Sequence, residues 1–153
     1  YVIDAGEISY NKIQMYPEKS IITPHWGELI KLFAFDPDDC FTSSHLEHVQ
    51  KTIKNKIIIF KSFNTFIITK DKIYIIDNGP SILATAGTGD VLSGILVSLL
   101  SQGYSRLEAS ILGTYLHAEA ANYYINNISK DGMTASDLID YIPHAFNKLR
   151  QND

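Results

Sequence analysis

Residues 83–90 read Leu83-Ala84-Thr85-Ala86-Gly87-Thr88-Gly89-Asp90, and a largely apolar stretch over residues 91–102 follows them directly. Because glycine has no side chain, Gly87 and Gly89 allow a sharp turn and leave the first N–H groups of the following helix unobstructed. These groups and the positive end of the helix dipole suit a bound phosphate group. We therefore predict an anion hole at Gly87, Thr88 and Gly89, in front of a helix over residues 91–102.

Asp90 is an unexpected neighbour for a phosphate, because its negative charge repels the anion. The carboxylate makes sense if it accepts a proton from an attacking hydroxyl group while the N–H groups hold the phosphoryl group. The helix dipole favours the ionised form that a base needs, and proximity to the substrate then supplies much of the rate. Alternatively, Asp90 is a first-turn acid that stabilises the helix by about 0.3–1 kcal/mol.

The chain around this stretch alternates apolar runs with helical patterns, which predicts an α/β layered domain. Strands are predicted at residues 1–3, 20–23, 57–60, 65–69 and 73–77, the last two as a hairpin. Capping boxes at Ser44–Glu47 and Ser105–Glu108 predict two helices, and Thr134 begins the last one. The long helix after Ser105 is predicted to bury one stripe, made of Leu107, Ile111, Tyr115 and Ala118.

Length and composition exclude several classes of protein. A length of 153 residues predicts a single domain, residues 1–153. A content of 45% hydrophobic residues excludes a disordered chain. A net charge of -4 makes nucleic acid a poor partner, and the longest apolar stretch, residues 91–100, is too short for a membrane span. Because Cys40 is the only cysteine, no internal disulfide is possible, which indicates a reducing compartment, and we expect the cytoplasm.

Two further segments follow predicted strands, where α/β proteins usually build their sites. In Thr23-Pro24-His25-Trp26-Gly27-Glu28, His25 is a candidate substrate contact and Glu28 could reach a magnesium ion through water. The segment Lys61-Ser62-Phe63-Asn64-Thr65 contains a cation and hydroxyl groups that could bind a nucleotide. Alternatively, His25 has only a structural role and Lys61 is simply a solvated surface residue.

These three segments in this order resemble the ribokinase-like NAD(P)H-hydrate dehydratases. The likeness extends to Tyr115-Leu116-His117-Ala118 and to residues 132–138, and so covers essentially the whole chain. It implies a ribokinase-like, three-layer α/β/α fold with a mostly parallel central sheet, here lacking its N-terminal half.

Enzymes of this family repair NADH or NADPH whose nicotinamide ring has been hydrated. ADP or ATP, with Mg2+, phosphorylates the ring hydroxyl, and phosphate then leaves with a ring proton. The resemblance implies that His25 and Asp90 contact the hydrated dinucleotide, with Asp90 as the base. It assigns adenine-nucleotide binding to Lys61, Ser62, Phe63, Asn64, Thr65 and Gly89.

The chain departs from the family pattern in several places. It has Asp4-Ala5-Gly6 where the family usually reads Asp-Ala-Asp, Ser62 where a Gly commonly follows the Lys, and Trp26 for the usual Pro. It begins at Tyr1 inside a predicted strand, as a fragment, a cleaved chain or one part of a split protein would.

A sheet without its partner strands exposes unpaired backbone groups. We therefore expect this chain to pack against another chain or against the missing half of the domain, and we expect a homo-oligomer. Two other functions stay open: a ribokinase-like kinase acting on a small molecule such as a vitamin precursor, and a non-catalytic nucleotide-binding or assembly fragment.

Overall fold

The computed structural model of the protein describes residues 1–9 and 12–151. The chain is divided into two compact units, Tyr1–Ile75 and Ile76–Asp153. The single partial domain over residues 1–153 therefore stays a prediction. None of the helices in the described part of the chain is long and apolar enough to cross a membrane.

The N-terminal unit is built around a five-stranded sheet in the order β1-β2-β3-β4-β5. The strands are β1 (Val2–Ile3), β2 (Ile21–Ile22), β3 (Ile57–Phe60), β4 (Thr65–Ile68) and β5 (Ile73–Ile76), of which the last residue belongs to the second unit. β1, β2 and β3 are parallel, with Ile3 opposite Ile22 and Ile22 opposite Ile58. β4 is antiparallel to β3, which makes the sheet mixed. β4 and β5, the strands of the predicted hairpin, are neighbours in this sheet.

Two helices accompany this sheet, α1 (Trp26–Phe33) and α2 (Ser43–Thr52). All four residues of β3 are buried, as its uninterrupted apolar run predicts for a strand covered on both faces. The core of the unit joins this strand to Leu29 and Leu32 of α1 and to Val49 of α2. α1 ends where Ala34 adopts a left-handed conformation, with φ 54°.

The predicted cap of α2 is wrong. The helix begins at Ser43, two residues earlier than a cap at Ser44 implies. Thr42 N–H donates to His45 Nδ1 at 3.1 Å, and Thr42 Oγ1 lies 2.9 Å from the same atom. Thr42, not Ser44, is therefore the capping residue. The sequence rule looks for Glu or Gln three residues after the cap, but an imidazole nitrogen can accept the same hydrogen bond.

The C-terminal unit is helical: α3 (Thr88–Ser101), α4 (Arg106–Asn127) and α5 (Ala135–Arg150). A short 3-10 helix, Ser81–Ala84, precedes α3. α3 begins at Thr88 rather than at residue 91, so Gly89 and Asp90 belong to its first turn. The capping boxes of α4 (Ser105 and Glu108) and α5 (Thr134 and Asp137) are both present.

The predicted buried stripe of α4 is wrong, because Leu107, Ile111 and Tyr115 are only half-buried and Ala118 alone is buried. The buried surface is made mostly of small residues, among them Ala109, Gly113, Ala120 and Ala121. A Cβ placed on Gly113 would lie 3.0 Å from Leu96 Cδ2 of α3, so the two helices approach closely there. α4 contacts both α3 and α5, and a helix covered on two sides shows no single apolar stripe.

Candidate functional site

Three polar side chains follow the ends of the three parallel strands. Asp4 comes directly after β1, Thr23 directly after β2, and Lys61 directly after β3. The backbone alignment continues past the strands, since Lys61 N–H donates to Pro24 O at 2.8 Å. The carboxyl ends of parallel strands are where open α/β sheets bind their ligands. This edge of the sheet is therefore the first part of the candidate site.

Asp4 joins these side chains into one cluster. Its Oδ1 accepts a hydrogen bond from Thr23 Oγ1 at 2.6 Å and another from Lys61 Nζ at 3.1 Å. The side chains of Asp4 and Lys61 are 12% and 26% exposed. Lys61, predicted from the sequence as a nucleotide contact, is thus held in an ion pair. Sequence reasoning missed Asp4 and Thr23, although their shared position after two parallel strands was a usable signal.

His25 and Glu28 form the reciprocal cap of α1. His25 Nδ1 accepts from Glu28 N–H at 3.3 Å, and Glu28 Oε2 accepts from His25 N–H at 2.9 Å. Because Nδ1 accepts, the proton of a neutral imidazole resides on Nε2. The His25 side chain is 61% exposed and that of Glu28 only 13%. His25 Nε2 also lies 3.6 Å from Glu28 Oε2, so Glu28 holds the ring in place while much of the side chain stays accessible to a ligand.

The predicted nucleotide-binding segment comprises the short loop between β3 and β4 and the first residue of β4, Thr65. Ser62 and Phe63 are exposed, Phe63 by 92%, whereas Asn64 and Thr65 are half-buried. Phe60 of β3 pairs with Phe66 of β4, which holds both ends of the loop. An exposed aromatic ring beside a lysine offers a stacking face and a positive charge, a combination suited to a nucleotide.

The carboxylates of the described residues do not form a metal centre of their own, since no group of three or more His, Cys, Asp or Glu side chains there could hold an ion. Mg2+ that arrives with a nucleotide needs only one or two carboxylates, because phosphate oxygens and water complete its shell. Glu28 already accepts a backbone hydrogen bond through Oε2. Glu28 therefore fits a Mg2+ ion that is bound mainly by nucleotide phosphates and that this carboxylate reaches through a water molecule.

The turn before α3 lies in the C-terminal unit. Gly87 caps the helix with φ 87°, and a Cβ on it would lie 3.0 Å from Ala135 Cβ. Thr88 is buried, and its Oγ1 lies 2.6 Å from Leu83 O and 2.8 Å from Thr85 O. Asp90 is the third residue of the helix and is exposed. The threonine thus anchors the turn, and the carboxylate is presented to solvent.

The first amides of α3 differ in what they bind. Thr88 N–H donates to Thr85 O at 3.3 Å, so this predicted member of the anion hole is engaged within the turn. Gly87 has no side chain with which to cap the helix. The next amides, of Gly89 and Asp90, are those a phosphate would meet first.

His117 supports the same turn from α4. The ring is 7% exposed, and its Nε2 lies 2.8 Å from Thr88 O. A carbonyl oxygen only accepts, so Nε2 carries the proton and donates. In the sequence, His117 is marked only as part of the segment Tyr115-Leu116-His117-Ala118 that resembles the family, and no contact is predicted for it.

A mostly apolar groove runs between α3 and α5, beginning at the glycine turn. It has a volume of about 600 Å³, and its lining includes Gly87, Asp90, Gly94, Ile95, Ile139 and Phe146. Ligand pockets commonly combine such an apolar wall with a few polar groups at one end. The groove therefore places an apolar surface next to the carboxylate of Asp90.

Comparison with known proteins identifies the family. A family model described as NAD(P)H-hydrate dehydratase matches residues 1–144. The chain belongs to the NAD(P)H-hydrate dehydratase family. The bifunctional NAD(P)H-hydrate repair enzyme Nnr of Dictyoglomus turgidum is 30% identical over 154 residues, which cover 97% of this chain and 30% of that protein.

Solved structures show the fold of this dehydratase-family chain. The Bacillus subtilis ADP/ATP-dependent NAD(P)H-hydrate dehydratase co-crystallised with ATP and Mg2+ matches with a TM-score of 0.84 and 24% identity, over 96% of this chain and 54% of that one. A ribokinase-like superfamily protein from Enterococcus faecalis matches with a TM-score of 0.77 and 23% identity, over 95% and 52%. The fold is therefore ribokinase-like α/β, and the chain spans about half the length of these solved chains.

The predicted site residues of this dehydratase-family chain fall into two groups. His25, Glu28 and the segment Lys61–Thr65 belong to the N-terminal unit, and Gly87–Asp90 to the C-terminal unit. Within the first unit, the backbones of His25 and Lys61 form a parallel bridge, and Asp4 and Thr23 join them at the same edge. That His25 and Asp90 contact one substrate stays a prediction.

Proposed function

We propose that this chain is part of an enzyme that uses ADP or ATP to convert hydrated NADH or NADPH back to NADH or NADPH. The observation that carries the proposal is the exposed carboxylate of Asp90 in the first turn of α3, behind the left-handed glycine cap at Gly87. A negative side chain beside amides that attract phosphate is explained by a proton-transfer role. Membership of the dehydratase family supports the same reaction.

The proposed reaction proceeds in two steps. Asp90 accepts the proton of the ring hydroxyl, and the oxygen attacks the terminal phosphorus of the nucleotide, which breaks the bridging P–O bond and releases AMP from ADP or ADP from ATP. The C–O bond then breaks, phosphate leaves with its electron pair, and a neighbouring ring carbon loses a proton. The second step restores the dihydronicotinamide ring. The amides of Gly89 and Asp90 would hold the phosphoryl group during the transfer.

The nucleotide and substrate contacts follow the same proposal. The segment Lys61–Thr65, with Gly89, binds the adenine nucleotide, and His25 contacts the hydrated dinucleotide through its exposed side chain. Mg2+ bound to the phosphates would neutralise their charge, with Glu28 reaching it through water. The Bacillus subtilis relative crystallised with ATP and Mg2+ supports this choice of ligands.

The activity is proposed for the complete protein to which this chain contributes. The chain spans 30% of the Dictyoglomus turgidum enzyme and 54% of the Bacillus subtilis dehydratase. We propose that it works together with the segment that those relatives carry in addition, supplied by another chain or by the same protein, and that the assembly is a homo-oligomer. With a single cysteine, it suits a reducing compartment, and we propose the cytoplasm.

The test of Asp90 is the recovery of NADH absorbance from hydrated NADH, with Mg2+ and either ADP or ATP. The protein is used as isolated, with whatever co-purifies. We expect Asp90→Asn to lower kcat by about 10²–10⁴-fold, the usual contribution of a general base. Asp140→Asn, the same change at an exposed residue of α5, is the matched control and should keep full activity. A rate retained by Asp90→Asn would contradict the assignment.

The same assay separates the other two functions. A small-molecule kinase would leave a stable phosphate ester of another alcohol and would not restore NADH. A non-catalytic fragment would bind the nucleotide without turnover. NADH recovery that requires one nucleotide identifies both the dehydratase and its phosphoryl donor.

A further inference from the structure

The ion pair at the carboxyl edge of the sheet has a use that the proposed reaction does not assign. Asp4 Oδ1 accepts from Thr23 Oγ1 at 2.6 Å and from Lys61 Nζ at 3.1 Å. The three residues follow three adjacent parallel strands, so the sheet itself sets their spacing. We propose that Asp4 is a positioning residue that holds the Lys61 ammonium group for the phosphates of the nucleotide, with Thr23 orienting Asp4. This inference rests on the proposed nucleotide site.

The ammonium group of Lys61 can bind Asp4 and a phosphate at the same time. Lys Nζ carries three N–H donors, and the hydrogen bond to Asp4 uses one of them. A lysine has a long, flexible stem, and ordering it when the ligand arrives costs affinity. Because the Lys61 side chain is 26% exposed and already paired, most of that ordering precedes binding. The remaining donors lie at the edge where the strands end.

The charge of Asp4 and its hydrogen bond to Lys61 have opposite effects on the binding of a phosphate. Its negative charge repels the anion, so removing the charge alone should strengthen binding. Removing the hydrogen bond frees the lysine stem, which should weaken binding. An asparagine at this position keeps an acceptor oxygen for Lys61 Nζ and Thr23 Oγ1 but carries no charge. The two effects are therefore separable by substitution.

The experiment measures the dissociation constants of MgADP and MgATP by titration calorimetry, for the protein as isolated. We expect Asp4→Ala to weaken binding by about tenfold, the cost of immobilising one long side chain. Asp4→Asn should bind as tightly as the wild type or up to about threefold more tightly, because it keeps the acceptor and removes the charge that repels the phosphates. Lys61→Met should lose at least as much affinity as Asp4→Ala.

A double substitution distinguishes positioning from general stability. If Asp4 acts through Lys61, adding Asp4→Ala to Lys61→Met causes no further loss of affinity. An additive further loss would overturn the inference, as would equal losses in Asp4→Ala and Asp4→Asn, or unchanged binding in Asp4→Ala. If Asp4→Ala does not fold by circular dichroism, Asp4→Glu replaces it. That variant keeps the charge but moves the acceptor, so it should bind more weakly than Asp4→Asn, and the reverse order would overturn the inference.

The wild-type titration separates this inference from the proposed function. Wild-type protein that binds neither MgADP nor MgATP overturns the nucleotide site and, with it, the role of Asp4. Wild-type binding together with any of the contrary variant results overturns the role of Asp4 alone.

Discussion

Gly87 is the residue on which the shape of the anion-binding turn depends. Its φ of 87° lies in the left-handed region, where a side chain is strained. A Cβ would also meet Ala135 Cβ at 3.0 Å, in the first turn of α5. Both effects arise from the same position, so replacing this glycine should disturb the start of α3 and its packing on α5 together.

We expect Gly87→Ala to lower the free energy of unfolding by about 1–3 kcal/mol. Gly94→Ala is the matched control, because Gly94 lies inside the same helix and nothing lies within 4 Å of its Cβ position. That substitution should be neutral or stabilising by roughly 0.5–1 kcal/mol. Urea denaturation measures both, and equal losses in the two variants would argue against strain at Gly87.

At the scale of elements, α4 and α5 are joined by a buried carboxylate. Glu119 of α4 is 6% exposed and accepts hydrogen bonds from Lys148 Nζ of α5 and, at 2.7 Å, from Asn78 Nδ2. Desolvation by burial acts to raise the pKa of Glu119, but the hydrogen bonds from Lys148 and Asn78 and the charge of Lys148 outweigh it, so this pKa lies below its ordinary value of 4.5. The hydrogen bond to Glu119 in turn raises the pKa of Lys148 above 10.5.

These shifts predict how stability depends on pH. Because the pKa of Glu119 is lowered in the folded chain, its contribution is complete above pH 4.5 and is lost as the pH falls through the lowered value. Because the pKa of Lys148 is raised, its contribution is complete below pH 10.5 and is lost as the pH rises through the raised value. The window of full stability from this pair lies between these two pH values.

Glu119→Gln should therefore destabilise the protein by about 1–3 kcal/mol at neutral pH and flatten the acid limb of the stability profile. Glu47→Gln is the control, since Glu47 and Lys51 form an exposed pair worth at most about 0.5 kcal/mol. Denaturant midpoints between neutral pH and pH 3 measure the effect. An unchanged acid limb in Glu119→Gln would show that other groups control it.

At the scale of the whole molecule, β1 is an edge strand of the sheet that the described residues form, and edge strands carry backbone groups that can pair with a further strand. The groove beside α3 and α5 leaves apolar side chains accessible, with Ile139 54% exposed. Exposed apolar surface of this kind is usual where another segment binds. Both features support the proposal that further chain packs against this one.

We expect sedimentation equilibrium of the isolated chain to show species heavier than its 17.2 kDa, or aggregation. Adding a polypeptide that corresponds to the additional segment of the relatives should convert these species to one defined assembly with a higher melting temperature. A stable 17.2 kDa monomer with a single cooperative unfolding transition would contradict this expectation.

Much of the secondary structure was predictable because its causes are local. The strand at Ile57–Phe60, the hairpin that follows it, the capping box at Ser105 and the start of the last helix at Thr134 depend on residues within a few positions of one another. The cap of α2 was missed because His45 takes the role usually held by Glu. The buried face of α4 was missed because small residues carry it, and their burial depends on two other helices.

Candidate chemistry was visible in the sequence wherever one short segment carries it. Asp90 beside Gly87 and Gly89, and His25 ahead of Glu28, are such segments, and so the family resemblance could be stated from motifs alone. The pairing of Asp4 with Lys61 could not be predicted from motifs, since 57 positions separate the two residues. Only the parallel alignment of β1, β2 and β3 brings them together. The contact of His117 with Thr88 likewise requires α4 to pack on α3. Local spacing determined which side chains could act, and strand register and helix packing decided which of them meet.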